Sequence, residues 1–267
     1  MDAADAFSPP PIAFLHLELP RVLGEAAALP WAGRLMRLSP KGDGHPVVVL
    51  PGFLGSDRAT KLMRRKLISQ GYDARPWTLG RNLGPTSIGH EGEHLAERIE
   101  DVFRETGRKV SLVGWSLGGI MAREVAKEAP EMVRQVITLG SPFGGSPSSS
   151  RLAEVYRRVT GEETDTPEFA HMIRDMKAPP PRVPSTAIFS RSDGIVNWRT
   201  CVERPAPWTD NIEVVSSHCG LVVNPVVLCA LADRLALPEG RWTPFERGGD
   251  PLRSILFPTS GHCYDVC

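Results

Sequence analysis

The stretch "HPVVVLPGF", residues 45–53, restricts most what this chain can fold into. Its centre is a continuous β-branched run, without the apolar–polar alternation of a strand that faces water on one side. Such a strand needs cover on both faces, which a parallel sheet between two layers of helices provides. The following residues keep to that plan. "DRATKLMRRKLISQG" (57–71) carries Leu62, Leu67 and Ile68 at roughly helical spacing, and "YDARPWTLG" (72–80) reads as a second, weaker strand. "SIGHEGEHLAERIEDVFRETG" (87–107) sets Leu95, Ile99, Val102 and Phe103 on one helical face and stops at Gly107.

Four more strand-like runs follow: "KVSLVGW" (109–115), "VRQVITLGSPF" (133–143), "STAIFSRSDG" (185–194) and "NIEVVSSHCG" (211–220). "LGGIMAREVAKEAP" (117–130) and "NPVVLCALADRLAL" (224–237) read as helices, the second with Pro225 at an early helical place. The predicted fold class is α/β, a mostly parallel central sheet with helices on both faces, built as one domain over residues 1–267. Three segments stand outside the rhythm: an N-terminal helical extension (1–43), a small helical cap or lid insertion (144–182) and a C-terminal extension (238–267). For the apolar stretch 12–38 the sequence favours packing against the body over contact with lipid or a long-chain substrate.

Gly114-Trp115-Ser116-Leu117-Gly118 fits G-x-S-x-G between a predicted strand and a predicted helix. In that setting the turn lifts a serine hydroxyl clear of the sheet, and the helix that follows aims its first amides at the same spot. Serine is a weak nucleophile at neutral pH, so it needs a base and a carboxylate to orient that base. The chain order for this turn is serine, then acid, then histidine. His218 lies between the last strand and the last helix, where a loop delivers it to the carboxyl edge of the sheet, whereas His171 falls in the insertion and His262 on the tail. Asp193 closes an intervening strand and is followed by glycine; Asp165 and Asp175 fall in the insertion, and Asp210 precedes a strand. Acyl transfer also needs donors for the developing oxyanion. The backbone N–H groups of Leu117 and of Phe53, in "LPGFLGSD", suit that role. Trp115 either lines an acyl pocket or packs beside the turn.

With PGFLG, GWSLG, SRSDG and SSHCG in this order, the chain resembles the α/β-hydrolase superfamily over roughly residues 44–237, and within it bacterial lipase- and esterase-like serine hydrolases with a short cap. "LGSPFGG" is also familiar in that group. The pattern departs at Pro51, where many family lipases carry histidine; the donor there is a backbone amide, so the chemistry survives. The resemblance implies cleavage of carboxylic esters through an acyl-serine intermediate, with Ser116 as nucleophile, His218 as base and Asp193 as its orienting acid, and no metal or organic cofactor. The substrate expected is a small-molecule ester with an apolar acyl group. Thioester cleavage or acyl transfer by the same triad, and a non-catalytic binding protein on the same fold, are the rival readings.

Lys and Arg total 31 and so do Asp and Glu, so no global field draws in nucleic acid. The start of the chain does not read as a secretory leader, no run approaches a membrane span, and five scattered cysteines do not form a disulfide framework, which together suggest a cytoplasmic protein. Cys263 and Cys267 could pair on the tail. His90-Glu91-Gly92-Glu93-His94 matches H-E-x-x-H, but Gly92 weakens the helix that motif needs and no third ligand follows at a known spacing, so zinc is not expected. Cys219, beside His218, has no elbow of its own and reads as a packing residue.

Overall fold

The computed structural model describes residues 8–30, 40–89, 91–145, 150, 181–246 and 251–258. Six strands, β1 (Pro46–Leu50), β2 (Asp73–Pro76), β3 (Val110–Trp115), β4 (Val133–Leu139), β5 (Ser185–Phe189) and β6 (Thr209–Glu213), form one sheet in the order β2-β1-β3-β4-β5-β6. Every neighbouring pair is parallel. The helices are α1 (Ile12–Ala27), α2 (Lys61–Ser69), α3 (Pro85–Ile88), α4 (Glu93–Thr106), α5 (Leu117–Glu128), α6 (Pro225–Leu235) and α7 (Pro251–Leu256).

All of β1 is buried, and its pleat divides the core. Val47 and Val49 point to one face, packed with Met63 and Leu67 of α2 and Val227, Leu228 and Leu231 of α6. Val48 and Leu50 point to the other, against Leu95, Ile99 and Val102 of α4 and Met121, Ala122 and Val125 of α5. This two-sided cover is the reason the run carries no polar alternation. From β1 the chain crosses to β2 on one side, returns to β3 on the other, and then proceeds outward. The order therefore reverses between β1 and β3, and the crevice outside their carboxyl ends is where open α/β sheets hold ligands.

Three expectations need correction. The helix over 87–107 is two helices, because Gly89 and Gly92 both have positive φ (90° and 80°) and α4 starts only at Glu93. The H-E-x-x-H stretch thus does not lie within one helix; His90 itself is outside the described residues. In α2 the buried positions are Met63 and Leu67, four apart, while Leu62 and Ile68 are exposed. β6 starts at Thr209, so Asp210 lies inside the strand, where its carboxylate faces the Arg234 guanidinium at 3.8 Å and accepts from the Phe245 amide. Of the cap, residues 146–149 and 151–180, with His171, lie outside the described residues, as do residues 1–7 and 31–39, and on the tail 247–250 and 259–267 with His262, Cys263 and Cys267. Among the described residues no helix is long and apolar enough to cross a membrane.

The packing predicts a contrast in stability. Met63→Ala should cost about 2–5 kcal/mol of unfolding free energy by urea denaturation, and Leu62→Ala no more than about 0.5 kcal/mol. Equal costs would place the wrong face of α2 on the core.

Candidate active site at the carboxyl edge of the sheet

Ser116 joins β3 to α5 with φ 54° and ψ −123°, a conformation that residues with a side chain avoid and that costs about 1–3 kcal/mol. The fold holds it there: the Ser116 amide donates to the Leu139 carbonyl of β4 at 2.9 Å, and the Gly119 amide to the Ser116 carbonyl at 3.0 Å. The flanking glycines are steric necessities. A Cβ on Gly114 would run into the backbone of Gly118 and Gly119, and one on Gly118 would stand 2.5 Å from the Pro51 carbonyl oxygen. One glycine lets the helix fold back on its own strand. The other lets it close on the end of β1.

The loop after β1 sits against this turn, since a Cβ on Gly52 would come 3.0 Å from that of Ser116. Phe53 follows in that loop, and Leu117 is the first residue of α5, where helical amides have no intrahelical acceptor. What fixes the loop is Asn82, which the sequence did not single out. Fully buried, it donates from Nδ2 to the Pro51 carbonyl at 2.7 Å, its amide donates to Gly55 O at 2.8 Å, and its carbonyl accepts from the Leu54 amide at 2.8 Å. An isolated Asn after a weak strand has no local pattern that marks it.

Asp193 and His218, on the loops after β5 and β6, are both buried, and His218 Nδ1 lies 2.6 Å from Asp193 Oδ2. The other carboxylate oxygen accepts from the amides of Ile195 (2.8 Å) and Val196 (2.9 Å), so Asp193 is locked to its own loop. His218 Nε2 is buried without a hydrogen-bond partner among the described residues. Burial by itself pushes the imidazole pKa down, but the Asp193 charge, its hydrogen bond and the charge of Glu18 outweigh this and hold it above the ordinary histidine value. Trp115 is tied to the same place: its indole N–H donates to the His218 carbonyl at 3.1 Å, and the two rings lie 5.8 Å apart. Cys219 is partly buried, its thiol pushed up to about 12 by burial first and by Glu18 and Asp193 next.

A hydrogen-bonded serine–histidine–aspartate chain made of other residues lies at the opposite edge of the sheet. His45 Nδ1 is 2.5 Å from Asp43 Oδ1, and His45 Nε2 is 2.8 Å from Ser111 Oγ. Ser111 stands inside β3, fully buried, with no turn to present it and no helix start beside it. The electrostatics are reversed as well. Burial pushes His45 down, and the guanidinium charges of Arg134 and Arg108 add to that against Asp43. Beside Asp43, two arginines stand by this imidazole, where Asp193 and Glu18 stand by His218, and its hydrogen bonds clasp the residue before β1 to β3.

The N-terminal segment meets the site in an unforeseen manner. α1 packs on the body through Glu18, Arg21 and Glu25, which bind the loops that carry Asp193 and His218, while Ile12, Leu15, Leu19 and Leu23 are exposed.

Comparison with known proteins shows the family and the fold. The profile of the alpha/beta hydrolase family matches residues 10–266, and the chain belongs to that family. A triacylglycerol lipase of Pseudarthrobacter phenanthrenivorans is 29% identical over 120 residues, 42% of this chain and 38% of the lipase. A pimeloyl-[acyl-carrier protein] methyl ester esterase of Aliivibrio fischeri is 30% identical over 105 residues, 38% of each chain. The matched stretches thus span well under half of these curated relatives. Among solved structures, the mature form of Bacillus licheniformis lipase BlEst2 superposes with a TM-score of 0.55 at 19% identity, covering 74% of this chain and 95% of that one, a likeness of fold.

The loop after β1 supplies a prediction. Asn82→Ala leaves the buried Pro51 carbonyl without its side-chain donor, at a cost of about 1–3 kcal/mol in urea unfolding. Wild-type stability in that variant would mean that Asn82 does not hold the loop.

Proposed function

We propose that the protein hydrolyses carboxylic esters through an acyl-serine intermediate. The observation that carries this reading is the buried His218–Asp193 pair on the same sheet edge as the strained turn of Ser116. In the first step Ser116 Oγ bonds to the ester carbonyl carbon while its proton passes to His218 Nε2. The carbonyl oxygen becomes an oxyanion at the amides of Phe53 and Leu117. Collapse expels the alcohol, which leaves with the proton from His218. Water then repeats the sequence, with His218 as base again, and releases the acid. Asp193 holds the imidazole in the tautomer with the proton on Nδ1 and steadies the imidazolium as it forms. Trp115, bound to the His218 carbonyl, braces the histidine loop.

The names borne by relatives support esters as the substrate class, since a triacylglycerol lipase and a methyl ester esterase both act on them. An apolar acyl group remains the expected partner of the site.

The test is hydrolysis of p-nitrophenyl esters from acetate to palmitate. Wild type should turn over, Ser116→Ala should not, and Asp193→Asn should lose about 10⁴-fold in kcat through the wrong tautomer. Because only neutral His218 accepts a proton and its pKa is raised, kcat/KM should fall on the acid side with a midpoint above about 6.5. Full activity in Ser116→Ala would refute the nucleophile, and a midpoint well below about 6.5 would refute the electrostatic account of the base.

A further inference from the structure

α1 lays charged side chains on the body. Glu18, Arg21 and Glu25 are spaced three and then four residues apart and so share one face, and that face, with half-buried Phe14, Val22 and Ala26 on it, is the one laid on the body. Glu18 is buried, and its Oε1 accepts from the amides of Gly194 and His218, both at 2.9 Å, while Oε2 accepts from Cys219 at 3.1 Å. Seven residues on, Glu25 accepts from the Ser217 amide at 2.8 Å and from the hydroxyls of Ser216 (3.0 Å) and Ser217 (3.2 Å). Arg21 donates to the Ser192 carbonyl at 2.6 Å and to its hydroxyl at 2.8 Å. The backbone approach is close: a Cβ on Gly194 would stand 2.6 Å from the Phe14 carbonyl carbon.

A stability role alone explains this poorly. Burying a carboxylate costs several kcal/mol unless hydrogen bonds replace its water, and an apolar face was available on the same helix. What Glu18 gains is specific: one carboxylate binds the amide of the residue after Asp193 and the amide of His218 itself, so a single side chain sets the distance between two loops. We propose that Glu18 is a positioning residue of the triad, holding Asp193 and His218 in register and stabilising the imidazolium that forms when Ser116 gives up its proton. This rests on the reading of those three residues as a catalytic triad.

The charges that face His218 are Asp193 from the loop after β5 and Glu18 from α1, with Glu25 one residue away on Ser217 and Arg21 held at Ser192. Cys219 is neutral at ordinary pH because burial holds its thiol near 12. Trp115 is uncharged. Glu18 acts in the same direction as Asp193, so removal of its charge should lower the His218 midpoint.

The experiment compares wild type, Glu18→Gln and Glu18→Asp by the pH profile of p-nitrophenyl acetate hydrolysis and by NMR titration of the His218 ring. In Glu18→Gln we expect kcat to fall about tenfold with little change in KM, as for other residues that orient a reacting group, and both the acid limb and the ring midpoint to move to lower pH. Glu18→Asp keeps the charge but retracts it, so kcat should fall while the limb stays near wild type. A wild-type limb and a wild-type ring midpoint in folded Glu18→Gln overturn the proposal, since a purely structural tie would move neither. If Glu18→Gln does not fold, an unchanged kcat in Glu18→Asp overturns it. Should wild type cleave no ester, the esterase reading fails, and the ring midpoints still decide the role of Glu18.

Discussion

The hydrogen bond between Asp193 and His218 is the contact around which the carboxyl edge of this sheet is organised. Both groups are shut away from water, and a buried ionisable pair is costly unless hydrogen bonds replace the water it loses. Apart from His218 Nε2, which has no partner among the described residues, the chain supplies such bonds from several directions. The loop of Asp193 turns two of its own amides onto the free carboxylate oxygen. β3 contributes Trp115 to the His218 carbonyl, and α1 contributes Glu18 to the His218 amide. Ser190 adds a further tie, its hydroxyl donating to the Ser216 carbonyl at 2.7 Å and accepting from the Ser216 amide at 3.1 Å. Loops after separate strands are thereby tied to one another.

Local chemistry was legible in the sequence, and distant electrostatics was not. The β-branched run of β1 announced a strand covered on both faces, and each of the six strand-like runs overlaps an observed strand, the last only over 211–213. The turn at Ser116 was legible because glycine is obligatory where backbones touch. Asp193 and His218 were chosen by their order along the chain and their places at strand ends, and they lie within hydrogen-bond distance of each other. By contrast, Glu18 and His218 are 200 residues apart, and nothing local to either predicts their meeting. The leucines of α1 even point the wrong way, since an apolar stripe ordinarily marks the buried face of a helix, and here Leu19 and Leu23 are exposed. Residues 87–107 misled for a smaller reason: the apolar spacing of α4 is real, but Gly89 and Gly92 sit in left-handed turns that end one helix before the next begins.

The histidine–aspartate pairs at His45 and His218 show how little a constellation of residue types says without its setting. The two histidine–aspartate distances are alike, 2.5 Å and 2.6 Å. What differs is the backbone and the field. Ser111 is one residue inside a paired strand, whereas Ser116 stands on a turn at the start of a helix. Burial first, and then Arg134 and Arg108, push one imidazole's pKa down against Asp43; at the other, Asp193 and Glu18 outweigh burial and hold it up.

The central claim is that Ser116 is an activated nucleophile. It is tested most directly by treating the protein with a fluorophosphonate, which phosphonylates a serine activated by a neighbouring base, with loss of fluoride, and locating the adduct by peptide mass spectrometry. The account predicts one adduct, on the peptide that holds Ser116, formed rapidly in wild type and at least about 10³-fold more slowly in His218→Ala. An adduct on any other residue, or labelling of Ser116 that does not depend on His218, would contradict it.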